Sequence, residues 1–526
     1  MPSNPDSRLN YRDILTLLGL SILSLGAYLF ASHFYYRLGF PLDDSWIHQT
    51  YARNLALRGE WAFMPGQPSN GSTAPLWSAL LAIGYWLRLA PYLWTYALGV
   101  VILCGLAWLA EIAVRRILPV CKPRFPWAGA LVALEWHLVW AGGSGMETLL
   151  HTALITMVLV SLISDRVGAA QRRNYFGLGV LVGLSIWLRP DGVTLLAPVV
   201  VTLILVESSF KRRTQALVSL GLGFGGLFAF YLLFNLILSG SPWPNTFYAK
   251  QAEYALLQQV PFWKRLASQA VPPLVGVGIA LLPGVLITAV TAVRRRAWGL
   301  LAGMAWFLGY IGLYAWRLPV TYQHGRYIIP AMLVFFIWGF AGLARSVLRL
   351  SLRSTYLRQH PSMNSGHRLL GSAGWRWMLA TSCRVGAAQK MTTVVILLFF
   401  WGRGALAYAQ DVAVIESEMV KTARWVAVNL PADALIAAHD IGAMGYFSER
   451  DLLDLAGLVS PEVIPFIRDE SRLRGYLNDR GVAYLVTFPD WYPSLTRDLR
   501  PVFRTESPFA PALGEENMAV YQWPDP

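Results

Sequence analysis

Residues 12–50 read RDILTLLGLSILSLGAYLFASHFYYRLGFPLDDSWIHQT. An apolar run reaches to about residue 34, and two adjacent aspartates, Asp43 and Asp44, follow some nine residues later. The run exceeds the roughly 20 residues that cross a hydrocarbon core. It is also too long for a signal-peptide core, so it reads as a retained first membrane helix. Two carboxylates just beyond such a helix are costly beside a bilayer unless something uses them.

The rest of the chain repeats the apolar theme. Of 526 residues, 55% are hydrophobic and 14% charged, against about 25% charged in soluble proteins. Further spans are expected near 92–117, 125–142, 146–164, 174–188, 191–208, 214–238, 271–293, 297–316, 327–347 and 390–409, giving eleven with the first at 12–34. The apolar stretch 75–90 competes to be a twelfth. Charge decides against it. With eleven spans and a cytoplasmic N-terminus, the basic clusters all fall inside: Arg115/Arg116 with Lys122, Arg166 with Arg172/Arg173, Lys211–Arg213, Arg294–Arg296, and the loop from Arg345 to Lys390. That is the positive-inside pattern. A full span at 75–90 would break it, so this stretch is expected to lie along or partly within the outer leaflet. The 350–389 loop is Arg/Ser/Gly-rich and is expected to be partly disordered.

The net charge of +14 is split between a balance of −8 from residue 410 onward and +22 before it. Because the basic residues lie between apolar runs, they serve topology rather than nucleic acid. Residues 1–409 therefore read as a membrane domain and 410–526 as an outward-facing α/β domain. In the latter, 416–429 has the pattern of an amphipathic helix, and ALIAAHD, LLDLAGL, VAYLVTF and MAVYQW suit strands. Cys104, Cys121 and Cys383 all precede residue 410, so no disulfide framework holds that domain, and no CxxC or His-rich metal spacing occurs.

The unusual polar residues fall in outward segments. A carboxylate of Asp43 or Asp44 can take the proton of an attacking hydroxyl or help hold a divalent cation. One of the pair also suits the N-cap of the helical SWIHQTYARNLALRGEW. Arg189, Lys250, His324 and Arg326 form a set of cations suited to a lipid phosphate, against the simpler reading of interfacial snorkelling. Glu147 and Asp191 suit orientation of a sugar hydroxyl or pairing with a nearby Arg, with Glu147 also favourable in a first helical turn. His48 and Tyr51 lie about a turn beyond the acids; for Tyr51, packing is the better reading. Asn70-Gly71-Ser72 matches a glycosylation sequon but reads better as a Gly-rich turn, and Asp440 reads as a turn residue after a strand.

Together, the Asp43-Asp44 pair, ARNL…GEWAFMPGQPSNGSTAPLW, SGMET, LRPDG, PNTFYAK, HGRY and HDIGAMGYFSERDLLDLAGLVSP resemble the GT-C superfamily of membrane glycosyltransferases. The pattern is most similar to the terminal arabinofuranosyltransferase family of mycobacterial cell-wall assembly and its bacterial relatives. The resemblance covers nearly the whole chain. It implies a GT-C fold with outer juxtamembrane helices, a donor sugar on a polyprenyl phosphate, and a glycan or lipid acceptor. It also implies transfer on the outer face of the bacterial cytoplasmic membrane. An Asp of the pair would be the base, and Lys250 and Arg326 would meet the donor phosphate. Asn245 and Tyr327 share those two motifs. The C-terminal domain would have an acceptor role. Relatives use different sugars, arabinofuranose among them, and differ in metal dependence, so Mg2+ or Mn2+ stays open.

The expected activity is inverting transfer from the lipid donor to a cell-envelope acceptor. The rival is a transporter or flippase of a lipid-linked sugar, which tends to show internal repeats; none is visible. A sensor acting through its C-terminal domain would leave the outward acids and cations unexplained.

Overall fold

A computed structural model describes residues 9–118, 123, 125–163, 174–359 and 372–524. Lys122, Cys121, Arg166, Arg172, Arg173 and the middle of the basic loop lie outside the described residues. Seven described helices are long and apolar enough to cross a bilayer: Tyr11–Tyr35, Pro91–Ile117, Phe210–Ser239, Val277–Arg295, Trp298–Arg317, Ile329–Leu348 and Ala388–Asn429. The molecule is a multi-pass, mainly helical membrane protein.

The other expected spans take different forms. Those at 146–164, 174–188 and 191–208 are the shorter apolar helices Thr148–Leu162, Tyr175–Leu188 and Pro190–Val206. The one at 125–142 is broken into Trp127–Leu134 and Trp136–Gly143. The break falls at Glu135, which is fully buried and whose carboxylate accepts the N–H of Leu138 at 3.1 Å. Broken helices are tolerated at membrane depth where protein covers them. The stretch at 75–90 holds the 12-residue helix Pro75–Trp86, about 18 Å long and too short for a hydrocarbon core of about 30 Å. At the basic loop, helices Ile329–Gln359 and Ser372–Ile415 extend inward from both sides.

Two short strands, β1 (Ala62–Met64) and β2 (Gln67–Pro68), form an antiparallel hairpin after the helix Asp44–Arg58. The C-terminal region carries a five-stranded sheet of β3 (Ile436–Ala438), β4 (Leu452–Asp454), β5 (Tyr484–Thr487), β6 (Pro501–Arg504) and β7 (Ala519–Gln522). Its order is β4-β3-β5-β7-β6, with β3 parallel to β4 and β5, and β7 antiparallel to β5 and β6. The four apolar runs of the sequence each supply a strand. The fifth, β6, was not expected: PVFR is partly exposed and has no alternation of buried residues. The expected helix 416–429 is a π-helical turn, Glu416–Val420, leading into Lys421–Asn429.

The sheet region is welded to the membrane helices. One apolar core runs from Trp46, Leu138 and Phe336 into Ile436, Ala438, Met444 and Val486. A second core, including Leu453, Leu477, Leu485 and Tyr521, fills the region's far side. The weld is the short helix Gly442–Phe447. A Cβ on Gly442 would overlap the Asp43 carbonyl oxygen, and one on Gly445 would overlap the Phe63 ring. Arg53 donates to the Tyr446 carbonyl at 2.8 Å, and the Trp46 ring packs against Tyr446 and Phe447.

Candidate active site

The two aspartates part company at the start of the helix Asp44–Arg58. The Asp43 carboxylate accepts the N–H groups of Gly442 at 2.7 Å and Ala443 at 2.8 Å. It therefore caps the Gly442–Phe447 helix rather than its own, where it makes no capping bond. Burial, opposed by those N–H groups and reinforced by Asp44, raises its pKa to about 6.

Asp44 faces a cavity of about 370 Å³. Its Oδ2 lies 2.5 Å from Nη2 of Arg326 and 3.5 Å from Nζ of Lys250. Burial alone would raise its pKa, but Lys250, Arg326 and His48 outweigh it and hold the carboxyl well below the usual range. Tyr327 completes the group, with its hydroxyl 3.0 Å from Lys250 Nζ and 3.1 Å from Arg326 Nη2. Against burial, the two cations bring that phenol down to about 8.

Arg326 is almost fully buried, and its Nε and Nη1 have no hydrogen-bond partner. A buried guanidinium with free N–H donors costs free energy unless an acceptor arrives. Its position depends on an unusual turn: Gln323 (φ 54°), His324 (φ 58°) and Gly325 (φ 68°) are consecutive left-handed residues. Lys250 comes from the helix Asn245–Glu253.

A second polar group lines the same cavity. Arg189 Nη1 lies 3.2 Å from Glu147 Oε1, its Nε 3.4 Å from Asp191 Oδ2, and its Nη2 donates to Tyr314 at 2.8 Å. Asp191 also accepts from Tyr310 at 2.8 Å and from the Tyr314 hydroxyl, and its Oδ1 stands 3.0 Å from His151 Nε2. Glu147 keeps one buried oxygen, Oε2, without a hydrogen bond, 3.6 Å from His48 Nε2. His48 in turn meets the hydroxyl of Ser78 at 2.9 Å, and burial lowers its pKa. Arg189 is thus matched by two carboxylates, whereas Arg326 and Lys250 share one. Trp243, Phe247, Leu313, Trp316 and Leu318 supply the cavity's apolar wall. Trp316, near the end of a spanning helix, is 59% exposed.

Asp44, His48, Glu147, Arg189, Asp191, Lys250, Arg326 and Tyr327 therefore line one cavity. The remaining candidates lie elsewhere. Asn245 ties its side chain to the Leu458 carbonyl at 3.2 Å. His324 Nε2 pairs with Asp411 Oδ2 at 2.8 Å, its ring in edge contact with Trp136 and Trp140. Tyr51 bonds Ser69 and the Gly71 N–H. Asn70 is fully buried and bonded to Asn235 at 2.9 Å, the turn reading rather than an accessible sequon.

Sequence reasoning passed over Tyr310, Tyr314, His151 and the aromatic wall, which carry no signal beyond their residue types. Asp440 was read as a plain turn residue. It lies where Asp43, Asp44 and Glu253 all act on it, and its Oδ2 has no hydrogen-bond partner. Burial, then these neighbours, raise its pKa well above the ordinary range. As to a divalent cation, no three His, Cys, Asp or Glu side chains among the described residues converge on a metal position. The donor set as folded does not fit one.

The fold is shared with solved proteins of low sequence identity. ArnT from Cupriavidus metallidurans, solved bound to undecaprenyl phosphate, superposes with a TM-score of 0.55 at 13% identity, over 96% of this chain and 97% of that one. The Archaeoglobus fulgidus oligosaccharyltransferase gives 0.59 at 11% identity, over 91% of this chain and 70% of that one. Arabinofuranosyltransferase AftD from Mycobacteria covers 98% of this chain and 40% of its own, at 14% identity, but its TM-score of 0.45 is too low to bear on the fold. A family described as a domain of unknown function (DUF8728) matches residues 405–521. No curated protein matches the chain.

Proposed function

We propose that the protein is an inverting glycosyltransferase that moves a sugar from a polyprenyl-phosphate donor to a cell-envelope acceptor at the outer face of the membrane. The observation that carries this reading is Arg326: a guanidinium with two buried, unpartnered nitrogens that lines, with Lys250, a cavity of mixed polar and apolar side chains. A lipid phosphate satisfies those donors, and its chain suits Trp243, Phe247, Leu313 and Trp316. The free Oε2 of Glu147 suits a hydroxyl of the donor sugar. The likeness to ArnT, solved with undecaprenyl phosphate, supports the same choice of ligand.

In this reading the acceptor oxygen attacks the anomeric carbon and the carbon–phosphate-oxygen bond breaks. The electron pair leaves on polyprenyl phosphate, and the acceptor proton passes to Asp44. Asp43 is the lesser candidate for base, because both its oxygens already accept N–H groups. In the free enzyme Asp44 is a poor base, since two cations hold it. Donor phosphate draws Arg326 and Lys250 toward itself and adds its own negative charge nearby. Both effects raise the proton affinity of Asp44 when the acceptor needs it. The C-terminal region, whose Leu458 reaches the cavity lining, forms the acceptor side. The arrangement offers electrostatic stabilisation of the departing phosphate and positioning of two substrates.

The test is turnover by purified protein in nanodiscs with a panel of polyprenyl-phosphate sugars and candidate glycan acceptors, with and without EDTA. Wild type should release polyprenyl phosphate from at least one donor, and Arg326→Ala should not. Full activity of Arg326→Ala would refute the phosphate assignment.

A further inference from the structure

His324 stands apart from the cavity, yet it occupies the most constrained backbone near the site. Outside the left-handed residues Gln323, His324 and Gly325, the chain turns at once into Arg326 and the helix beginning at Ile329. For the two non-glycine residues this conformation is strained, and strained backbone persists only where surrounding contacts over-determine it. Those contacts are visible. Asp411 Oδ2 accepts from Trp140 Nε1 at 2.8 Å and stands 2.8 Å from His324 Nε2. The His324 ring is wedged between Trp136 and Trp140, with centroids 5.3 and 5.2 Å away. Gly325 packs against Pro272, where an added Cβ would overlap the proline ring.

Asp411 belongs to the helix Ser372–Ile415, which runs directly into the C-terminal region. Trp140 belongs to the short helix Trp136–Gly143 that follows the Glu135 break. The turn is therefore pinned by two elements that make no contribution to the cavity lining, and its only product on the cavity side is the placement of Arg326 and Tyr327.

We propose that Asp411 and His324 are positioning residues: their pair, clamped by Trp136 and Trp140, holds the 323–325 turn left-handed so that Arg326 is held at the cavity beside Lys250 and Tyr327. The inference rests on the reading of Arg326 as the phosphate ligand. It also links the stem of the C-terminal region to the donor site, so that displacement of that stem loosens phosphate binding.

The probe is farnesyl phosphate, titrated against detergent-purified protein by thermophoresis, with a thermal melt of every variant. Asp411→Ala should weaken binding about tenfold, the equivalent of the strain released at one left-handed residue. Asp411→Asn keeps an acceptor for His324 and should lose less. The decisive variant is Gln323→Gly in the Asp411→Ala background. Glycine adopts positive φ without cost, so binding should recover to within about threefold of wild type. A role in general stability alone would not be repaired by that glycine, which should add nothing to binding in the wild-type background. Arg326→Ala separates the two readings. If it weakens binding while Asp411→Ala and Asp411→Asn bind as wild type, the positioning role is overturned and the phosphate reading stands. Loss in Asp411→Ala with no glycine rescue also overturns the positioning role. If Arg326→Ala binds as well as wild type, both fall.

Discussion

Asp44→Asn offers the sharpest contrast between what the site holds and what it does. In the free protein the Asp44 carboxylate occupies Arg326 at 2.5 Å and Lys250 at 3.5 Å, so it competes with an incoming phosphate for both cations. The variant keeps the shape and removes the charge. A hydrogen bond to a charged group contributes about 1.5–3 kcal/mol net. Releasing the Arg326 bond alone therefore strengthens lipid-phosphate binding about 10- to 150-fold, at roughly 1.4 kcal/mol per tenfold. Transfer should move the opposite way, by about 10²–10⁴-fold, the usual worth of a general base. The assay pairs farnesyl phosphate titration with single-turnover transfer from a polyprenyl-phosphate sugar, both on detergent-purified protein. Tighter binding with lost transfer is the expected signature. Binding that is unchanged or weaker in Asp44→Asn would show that the carboxylate does not compete for Arg326 and Lys250, and the account of base activation by the donor would fail with it.

Other consequences are open to measurement. Because donor phosphate relieves Asp44 of its cations, the acid limb of kcat should lie at higher pH than that of kcat/KM; coincident limbs would show that Asp44 is not the titrating base. Asp43 is raised from 3.8 to about 6, so its stabilising contribution is full below about pH 4 and is lost as pH rises through about 6. The loss is about 3 kcal/mol, at about 1.4 kcal/mol per tenfold change in proton affinity. The melting temperature of wild type should accordingly fall across that window, and the fall should be smaller in Asp43→Asn, the remainder coming from Asp440 and Asp454, which burial also raises. Gly442→Ala forces a Cβ against the Asp43 carbonyl and should destabilise the weld by about 1–3 kcal/mol, read as faster proteolysis within 430–526. Glu147→Gln keeps an oxygen for Arg189 but turns the free acceptor, Oε2, into an NH2 donor. It should raise KM for the donor sugar several-fold while leaving farnesyl phosphate binding within about twofold; equal loss of both would place Glu147 on the phosphate instead.

What the sequence determined by itself follows from local rules. Runs of apolar residues fix membrane helices wherever their length matches the bilayer, as at Tyr11–Tyr35 and Pro91–Ile117. Short apolar runs bounded by polar residues mark four strands of the C-terminal sheet. Ionisable residues beside a membrane stand out because their placement is costly, which is why Asp44, Glu147, Arg189, Lys250 and Arg326 were legible before any of them was seen to share a cavity. Tertiary structure decided what composition leaves open. Glu135 splits one expected span because a buried carboxylate caps the second half, a contact no hydropathy window contains. Asp43 and Asp44 are chemically identical neighbours in sequence. One is turned to a helix end nearly 400 residues away, and the other to Arg326 and Lys250, because successive residues at a helix start point in different directions. His324 is drawn from the cations to Asp411 by a left-handed turn, which depends on packing against two tryptophans from another helix. Long-range contacts of this kind choose the partner of each charge, and in this protein the partner separates a capping acid, a buried clamp and the carboxylate left facing the cavity.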